Sequence, residues 1–270
     1  MCKIFCMTDT MAYDNLKDHV KFIRHSDLSD GMVCHDEMSE KNIKSRLHLT
    51  RAESMILYLL LTIMLDMICL KIFGLVAKTD VLSDYKPYGS KILGVILIVE
   101  MIVFVKLTPM KIHWSALRFD KEELKRTMPI SIAISAGIIL VLIGYRVFRT
   151  MKDPSLSDIP LFGLYLGTHM RYIYPASCVF QEFFIKAFIQ ENCGALTGGR
   201  DIHYTVWTTS IFFFILHLQY PFYYMIGALT LCVVTGYLYE KDRNIWGAAL
   251  IHFTLGFLPR SLGIWQILER

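Results

Sequence analysis

The sequence has few charged residues. Only 19% of its 270 residues are Asp, Glu, Lys or Arg, whereas 54% are hydrophobic and the mean hydropathy is +0.43. An ordinary soluble domain carries about 25% charged residues. A soluble protein of this size could not bury so much apolar surface. The shortage of charge excludes a disordered chain, argues against a soluble enzyme and predicts a membrane protein.

Other common signals are also missing. The net charge of +4 is too small to indicate a nucleic-acid partner. The seven cysteines are odd in number and share no repeated spacing, which excludes a disulfide scaffold, and Cys2 and Cys6 have no second pair with which to form a metal site. The N-terminal segment MCKIFCMTDTMAYDN lacks the apolar stretch of about 7–15 residues that marks a signal peptide. We therefore expect insertion to depend on the first membrane helix.

The charges that are present are unevenly distributed. Residues 1–53 contain 8 basic and 9 acidic residues, a much higher density than in the remainder. Such a segment is too short and too polar to form a large core of its own. We therefore predict a polar, cytoplasmic N-terminal arm over 1–53 and a transmembrane domain over 54–270.

The long apolar runs predict an all-α, polytopic membrane bundle. A spanning helix needs about 20 mostly apolar residues. About seven such spans are predicted, with a range of six to eight, and the fourth could be one long helix or two shorter ones. A charged helix is predicted over 115–127, preferably in a solvated loop, with an interfacial helix as the alternative. The predicted spans are 55–77, 92–107, 128–148 (opening near Pro129), 160–190, 204–218, 222–239 and 245–265.

Basic residues in the short loops predict the orientation. The segment before the first span, the loop 108–127 and the loop 240–244 all carry Lys or Arg, and the predicted number of crossings puts them on one side. Because positive loops stay on the cytoplasmic side, we expect a cytoplasmic N-terminus.

Ionisable residues inside the predicted spans are few. Each costs at least about 2.5–3.5 kcal/mol to insert at the bilayer centre. Asp66 and Glu100 lie in the first two spans and are interpreted as packing groups that pair with a base such as Lys71 or Arg171.

A denser polar set occurs in the later spans. Glu182 and Lys186 lie four residues apart on one helix face, where they could form a neutralising ion pair. His217 and His252 lie in two further spans, and a single histidine on an apolar helix is usually a packing residue. Together, however, a carboxylate and two imidazoles can activate a water molecule, and a low dielectric strengthens the donors around it.

The order of these motifs resembles that of the CPBP intramembrane protease family. The matching segments are QEFFIKAFIQ at 181–190, Phe213-xxx-His217 and His252-xxx-Gly256, with the small and aromatic run at 236–240 as a further likeness. The family includes type II CAAX prenyl endopeptidases and bacterial bacteriocin-processing and self-immunity proteins. The resemblance covers about residues 160–260, and this region is identified as a CPBP-like core.

The resemblance implies an enzyme and a set of catalytic residues. In the family, a glutamate and the second-motif histidine activate a water, while the third-motif histidine and an asparagine stabilise the oxyanion. Carried over by position, Glu182 matches the second glutamate of the family's pair, and His217 and His252 match the histidines of the second and third motifs. These three are the predicted catalytic residues. The predicted function is an intramembrane endopeptidase that hydrolyses a peptide bond near the membrane.

Four further residues are predicted to support the site, and three of them depart from the family pattern. Gln181 replaces the first glutamate, Lys186 replaces an arginine, and Gly256 replaces the asparagine, whereas Phe213 matches. In one interpretation Glu182 takes the base role with His217, and the helix rotates, since adjacent positions differ by about 100°. In the other, the fold persists without hydrolysis, as a membrane peptide-binding or immunity protein.

The resemblance also bears on cofactors and partners. No cofactor is assigned; if zinc is bound, His217, His252 and Glu182 would supply an open site, although the sequence contains no HExxH motif. The expected partners are the lipid bilayer and a peptide or membrane-protein substrate, whose identity the sequence leaves open, as it does the oligomeric state. The predicted location is a bacterial cytoplasmic membrane.

Overall fold

A computed structural model describes residues 49–76, 89–158, 160–163, 173–199, 201–264 and 267. Within these ranges the chain forms seven helices and no strand, which confirms the prediction of an all-α membrane bundle. The helices are α1 (Arg51–Val76), α2 (Gly89–Leu107), α3 (Lys121–Lys152), α4 (Tyr174–Glu182, continued by Phe183–Gln190 and Glu191–Cys193), α5 (Ile202–Ile215), α6 (Phe222–Asp242) and α7 (Trp246–Ser261).

Helix α4 changes its winding along its length. It begins as an α-helix at Tyr174–Glu182, continues as a π-helix over Phe183–Gln190 and ends in an α-helical turn at Glu191–Cys193. All eight residues of the π-helical part are buried. Phe184, Ile185, Phe188 and Ile189 pack in one cluster with residues of α1, α2 and α5, whereas Phe183 and Ala187 pack in a second cluster. Helix α4 therefore lies within the core and carries its polar side chains there.

Three helices of the described part are long and apolar enough to cross a membrane, by length and composition. They are Arg51–Leu75, Lys121–Lys152 and Phe222–Asp242, and Ile202–Ile215 is a shorter apolar helix. Large apolar side chains such as Leu140 and Val141 on α3 are about 70% exposed. A surface of this kind suits lipid rather than water, and the protein is an integral membrane protein.

The third helix begins earlier than the sequence predicted. Asp120 caps it, because one carboxylate oxygen accepts the backbone N–H groups of Glu122 and Glu123 at 2.8 and 3.4 Å. The charged residues from Lys121 therefore continue directly into the membrane helix, and Trp114–Leu117 forms a separate 3-10 turn before it. The predicted separate helix over 115–127 is wrong, as is the predicted helix start near Pro129, which lies inside α3.

Several predictions lie outside the described residues. The N-terminal arm is outside as far as residue 48, as are 164–172, which hold Arg171 and part of the predicted fourth span. The boundary at residue 53, the cytoplasmic N-terminus and the bacterial membrane stay predictions.

Small residues let α3 and α7 approach closely. A β-carbon built at Gly247 of α7 would collide with the hydroxyl oxygen of Ser131 on α3 and lie 3.4 Å from its β-carbon. Ser131 itself is fully buried and donates its hydroxyl to the carbonyl of Thr127 at 2.9 Å. Membrane helices commonly pack through such small residues.

Replacing Gly247 with leucine should destabilise the bundle by about 1–3 kcal/mol, because the new side chain overfills the contact between α3 and α7. The matched control is Gly137→Leu on α3, where a β-carbon meets nothing within 4 Å. Thermal unfolding of both variants in detergent would measure the difference. Equal melting temperatures would contradict the close packing.

Candidate active site

Glu182 and His252 form a buried pair between α4 and α7. The two side chains are joined by a 2.8 Å contact between Glu182 Oε1 and His252 Nδ1. Glu182 is 3% exposed and His252 is 7% exposed. Since an ionised carboxylate can only accept, Nδ1 carries the hydrogen and donates it. This bond orients the imidazole and leaves Nε2 as its remaining functional nitrogen.

His217 is held in a similar way just beyond the end of α5. Its Nδ1 lies 2.7 Å from the carbonyl oxygen of Phe213, which can only accept, so Nδ1 is again the donor. The neutral imidazole therefore has its lone pair on Nε2. The ring of Phe213 packs against both imidazoles, with centroid distances of 4.4 Å to His217 and 6.3 Å to His252.

Both histidines line one cavity of about 190 Å³. A water molecule occupies about 30 Å³ of the liquid, so the cavity can hold a water together with part of a peptide. Its walls are mainly apolar and aromatic, with few polar groups, as is usual for binding sites. The lining residues are Leu142, Tyr174, Phe213, His217, Tyr223, Tyr224, Gly227, Ala228, Leu231, His252, Leu255, Gly256, Pro259 and Ile264.

Lys186 does not pair directly with Glu182. Its side chain is fully buried, and its Nζ donates to the carbonyl oxygen of Cys232 at 2.9 Å and lies 3.2 Å from the sulfur. The π-helix that begins at Phe183 changes the side-chain register, so residues four apart no longer lie directly above one another. The interpretation of Glu182 and Lys186 as a mutual ion pair is wrong, since each side chain binds a different partner.

Gln181 lies beside the site rather than in it. The side chain is half-buried and, within the described part of the chain, does not line the cavity. Its neighbour Glu182 points to His252 instead. The carboxylate therefore reaches an imidazole from the second position of the motif, whereas the family is described with a base at the first.

Gly256 faces Tyr174, a residue that no sequence motif indicates. A β-carbon built at Gly256 would overlap the hydroxyl oxygen of Tyr174 and lie 2.6 Å from its Cζ. Tyr174 opens α4 and lines the same cavity. The contact spans 82 residues of sequence, and no local motif around Tyr174 indicates it.

The run at 236–240 packs on α4. The side-chain nitrogen of Gln190 donates to the carbonyl of Gly236 at 3.1 Å and to Glu240 at 2.7 Å. Glu240 also binds Arg243 at 2.7 Å. These contacts join two segments that both contribute to the resemblance, and they fix α6 against the helix that carries Glu182.

The acids of the first two spans lie apart from this site. Glu100 accepts a hydrogen bond from the hydroxyl of Thr62 at 2.9 Å. Both carboxylate oxygens of Asp66 are buried, and neither has a hydrogen-bond partner among the described residues. The expected pairing of these acids with Lys71 is therefore wrong, and Arg171 lies outside the described residues.

The three candidate zinc ligands do not fit a metal site. Across the described ranges, no group of three or more His, Cys, Asp or Glu side chains is arranged to hold a metal ion. Glu182 Oε1 accepts from Nδ1 of His252, so two of the three candidate ligands bind each other.

Comparison with known proteins supports the motif-based resemblance. Residues 168–258 match the family described as type II CAAX prenyl endopeptidase, Rce1-like, which is consistent with the predicted CPBP family. The matched region contains Glu182, His217 and His252. No curated protein and no solved structure matches the chain.

Proposed function

We propose that the protein is an intramembrane endopeptidase of the CAAX protease type, with its site formed by Glu182, His217 and His252. The observation that carries the proposal is the buried bond between Glu182 and His252 beside a cavity that His217 shares. The Rce1-like match supports a peptidase of this class. The bilayer and a peptide substrate are the partners that such a site requires.

His217 is suited to activate the water. Its Nδ1 is occupied by the carbonyl of Phe213, so Nε2 presents a lone pair to the cavity. It takes a proton from a water molecule while the water oxygen bonds to the carbonyl carbon of the peptide. When the tetrahedral intermediate collapses, the C–N bond breaks and the same proton passes to the departing amine.

His252 is suited to stabilise the negative oxygen. The carboxylate of Glu182 accepts from Nδ1 and fixes the orientation of the ring, as in other carboxylate–histidine pairs. An imidazole that carries hydrogen on both nitrogens donates from Nε2 to the oxyanion. A buried donor of fixed orientation is more effective than one in water, because it does not need to reorganise during the reaction. Glu182 acts through His252 and is a positioning residue.

Peptide cleavage by the purified protein in liposomes tests this proposal. The probes are an internally quenched farnesylated CAAX peptide and its unprenylated counterpart, with the products identified by mass spectrometry. We expect a single internal cut in at least one probe. Binding of both peptides without any cleavage would overturn the proposal and favour the peptide-binding alternative.

Replacing Gln181 with glutamate should change the cleavage rate by less than about threefold. The side chain does not line the cavity, and the carboxylate that reaches an imidazole is already supplied by Glu182. A change of threefold corresponds to less than the roughly 1.4 kcal/mol of a tenfold effect. Steady-state kinetics would show a large gain if residue 181 were instead the missing base.

A further inference from the structure

One oxyanion donor of the family pattern has no counterpart at the matching position of this chain. An asparagine stabilises the oxyanion in the family, and Gly256 stands at that position without a side chain. His252 on α7 can donate a hydrogen bond. One turn further along the same helix, at residue 256, there is a gap where the family has a second donor.

The hydroxyl of Tyr174 fills this gap. Its oxygen occupies the volume in which the β-carbon of residue 256 would lie. The phenol is brought there from α4, and its ring lies 6.1 Å from that of Phe253 on α7. Only a residue without a side chain at 256 allows this approach, so the glycine and the tyrosine form a matched pair.

We infer that Tyr174 is a catalytic residue whose hydroxyl donates a hydrogen bond to the oxyanion. It does so in place of the family's asparagine, whose position in this chain is occupied by Gly256. A phenol carries an O–H donor and stays neutral well above physiological pH in water. Tyr174 and His252 both line the cavity, so two donors from different helices face one volume. This inference rests on the proposed peptidase function and adds a residue to it.

The thiol beside the hydroxyl is compatible with this role. Cys178 lies one turn along α4 from Tyr174, and the two side chains interact. A thiol is a weak hydrogen-bonding group. The phenol can therefore turn its hydrogen to a developing negative oxygen without giving up a strong bond.

The test compares Tyr174→Phe with Tyr237→Phe in the quenched-peptide assay. Tyr237 bonds His203 at 2.7 Å and does not line the cavity within the described residues. We expect Tyr174→Phe to lower kcat by about 10²-fold, as for loss of an oxyanion donor, with KM little changed. Tyr237→Phe should retain the wild-type kcat. A purely structural role of Tyr174 would show as a change in folding or KM instead.

Binding of a phosphinate analogue gives a readout that does not require turnover. Its tetrahedral, anionic phosphorus group mimics the oxyanion, whereas the parent peptide does not. Tyr174→Phe should weaken binding of the phosphinate by at least about tenfold and leave binding of the parent peptide unchanged. Equal effects on both ligands would overturn the inference.

A double variant tests whether an oxyanion donor at residue 256 can replace the hydroxyl of Tyr174. Tyr174→Ala opens the space beside Gly256, and Tyr174→Ala/Gly256→Asn places an amide donor there. We expect the double variant to exceed Tyr174→Ala in kcat by about tenfold or more.

These experiments distinguish failure of the role of Tyr174 from failure of the proposed peptidase function. Wild-type activity in Tyr174→Phe would overturn the role of Tyr174 and leave the peptidase proposal standing. Absence of cleavage by the wild type, with no preference for the phosphinate, would overturn both.

Discussion

Replacing His252 with asparagine should lower kcat/KM for peptide cleavage by about 10²–10³-fold. The asparagine amide can stand near the position of Nδ1 and continue to donate to Glu182, so the buried carboxylate keeps its partner. What is removed is Nε2, the nitrogen that is available to the cavity. The expected loss in kcat/KM therefore reflects the removal of a catalytic nitrogen. It does not reflect the large destabilisation that follows when one member of a buried pair is deleted.

The matched control is His203→Asn, which alters an exposed histidine that bonds Tyr237 on the neighbouring helix. It should retain wild-type kcat/KM. Circular dichroism and the melting temperature would establish that both variants are folded. A folded His252→Asn protein with wild-type activity would remove His252 from the reaction.

Restoring the family's asparagine at Gly256 should inactivate the protein rather than improve it. The β-carbon of any side chain at 256 would overlap the Tyr174 hydroxyl and lie 2.6 Å from the rigid ring. Either Tyr174 is pushed out of the cavity or α4 and α7 separate, and overpacking of this kind costs about 1–3 kcal/mol. We expect Gly256→Asn to lower kcat/KM by at least about tenfold and to lower the melting temperature.

The control for Gly256→Asn is Gly144→Asn, at a helical glycine where a β-carbon meets nothing within 4 Å. It should change activity little. If Gly256→Asn instead raises kcat above the wild type, the departure at 256 is a lost donor, and Tyr174 does not replace it.

Much of the fold was available from the sequence because membrane helices leave a strong local signal. Long apolar runs predict the helices, and the positions of α1, α2, α5 and α6 agree with the predicted spans to within a few residues. The start of α3 was misjudged because Pro129 resembles a first-turn proline, while the stronger signal was the cap at Asp120, with two glutamates following it.

The candidate site was only partly accessible from the sequence. Glu182, His217 and His252 stand out because polar groups are costly among apolar neighbours. The partner of each group was not predictable: a π-helix after Glu182 changes which residues share a face, and it separates the carboxylate from Lys186. The role of Tyr174 could not be predicted from the sequence because it depends on a contact between helices that are distant in the chain. A single tyrosine in an aromatic-rich sequence does not indicate such a contact.

The most direct test of the account is a kinetic comparison of His217→Asn, His252→Asn and the double variant, with folded proteins in liposomes and one quenched peptide. Each histidine has its own role, since His217 takes the proton and His252 stabilises the oxyanion. We expect a loss of about 10²-fold or more in kcat/KM in each single variant, and a double variant that is no more active than the weaker single variant. Wild-type rates in both single variants would contradict a shared hydrolytic site.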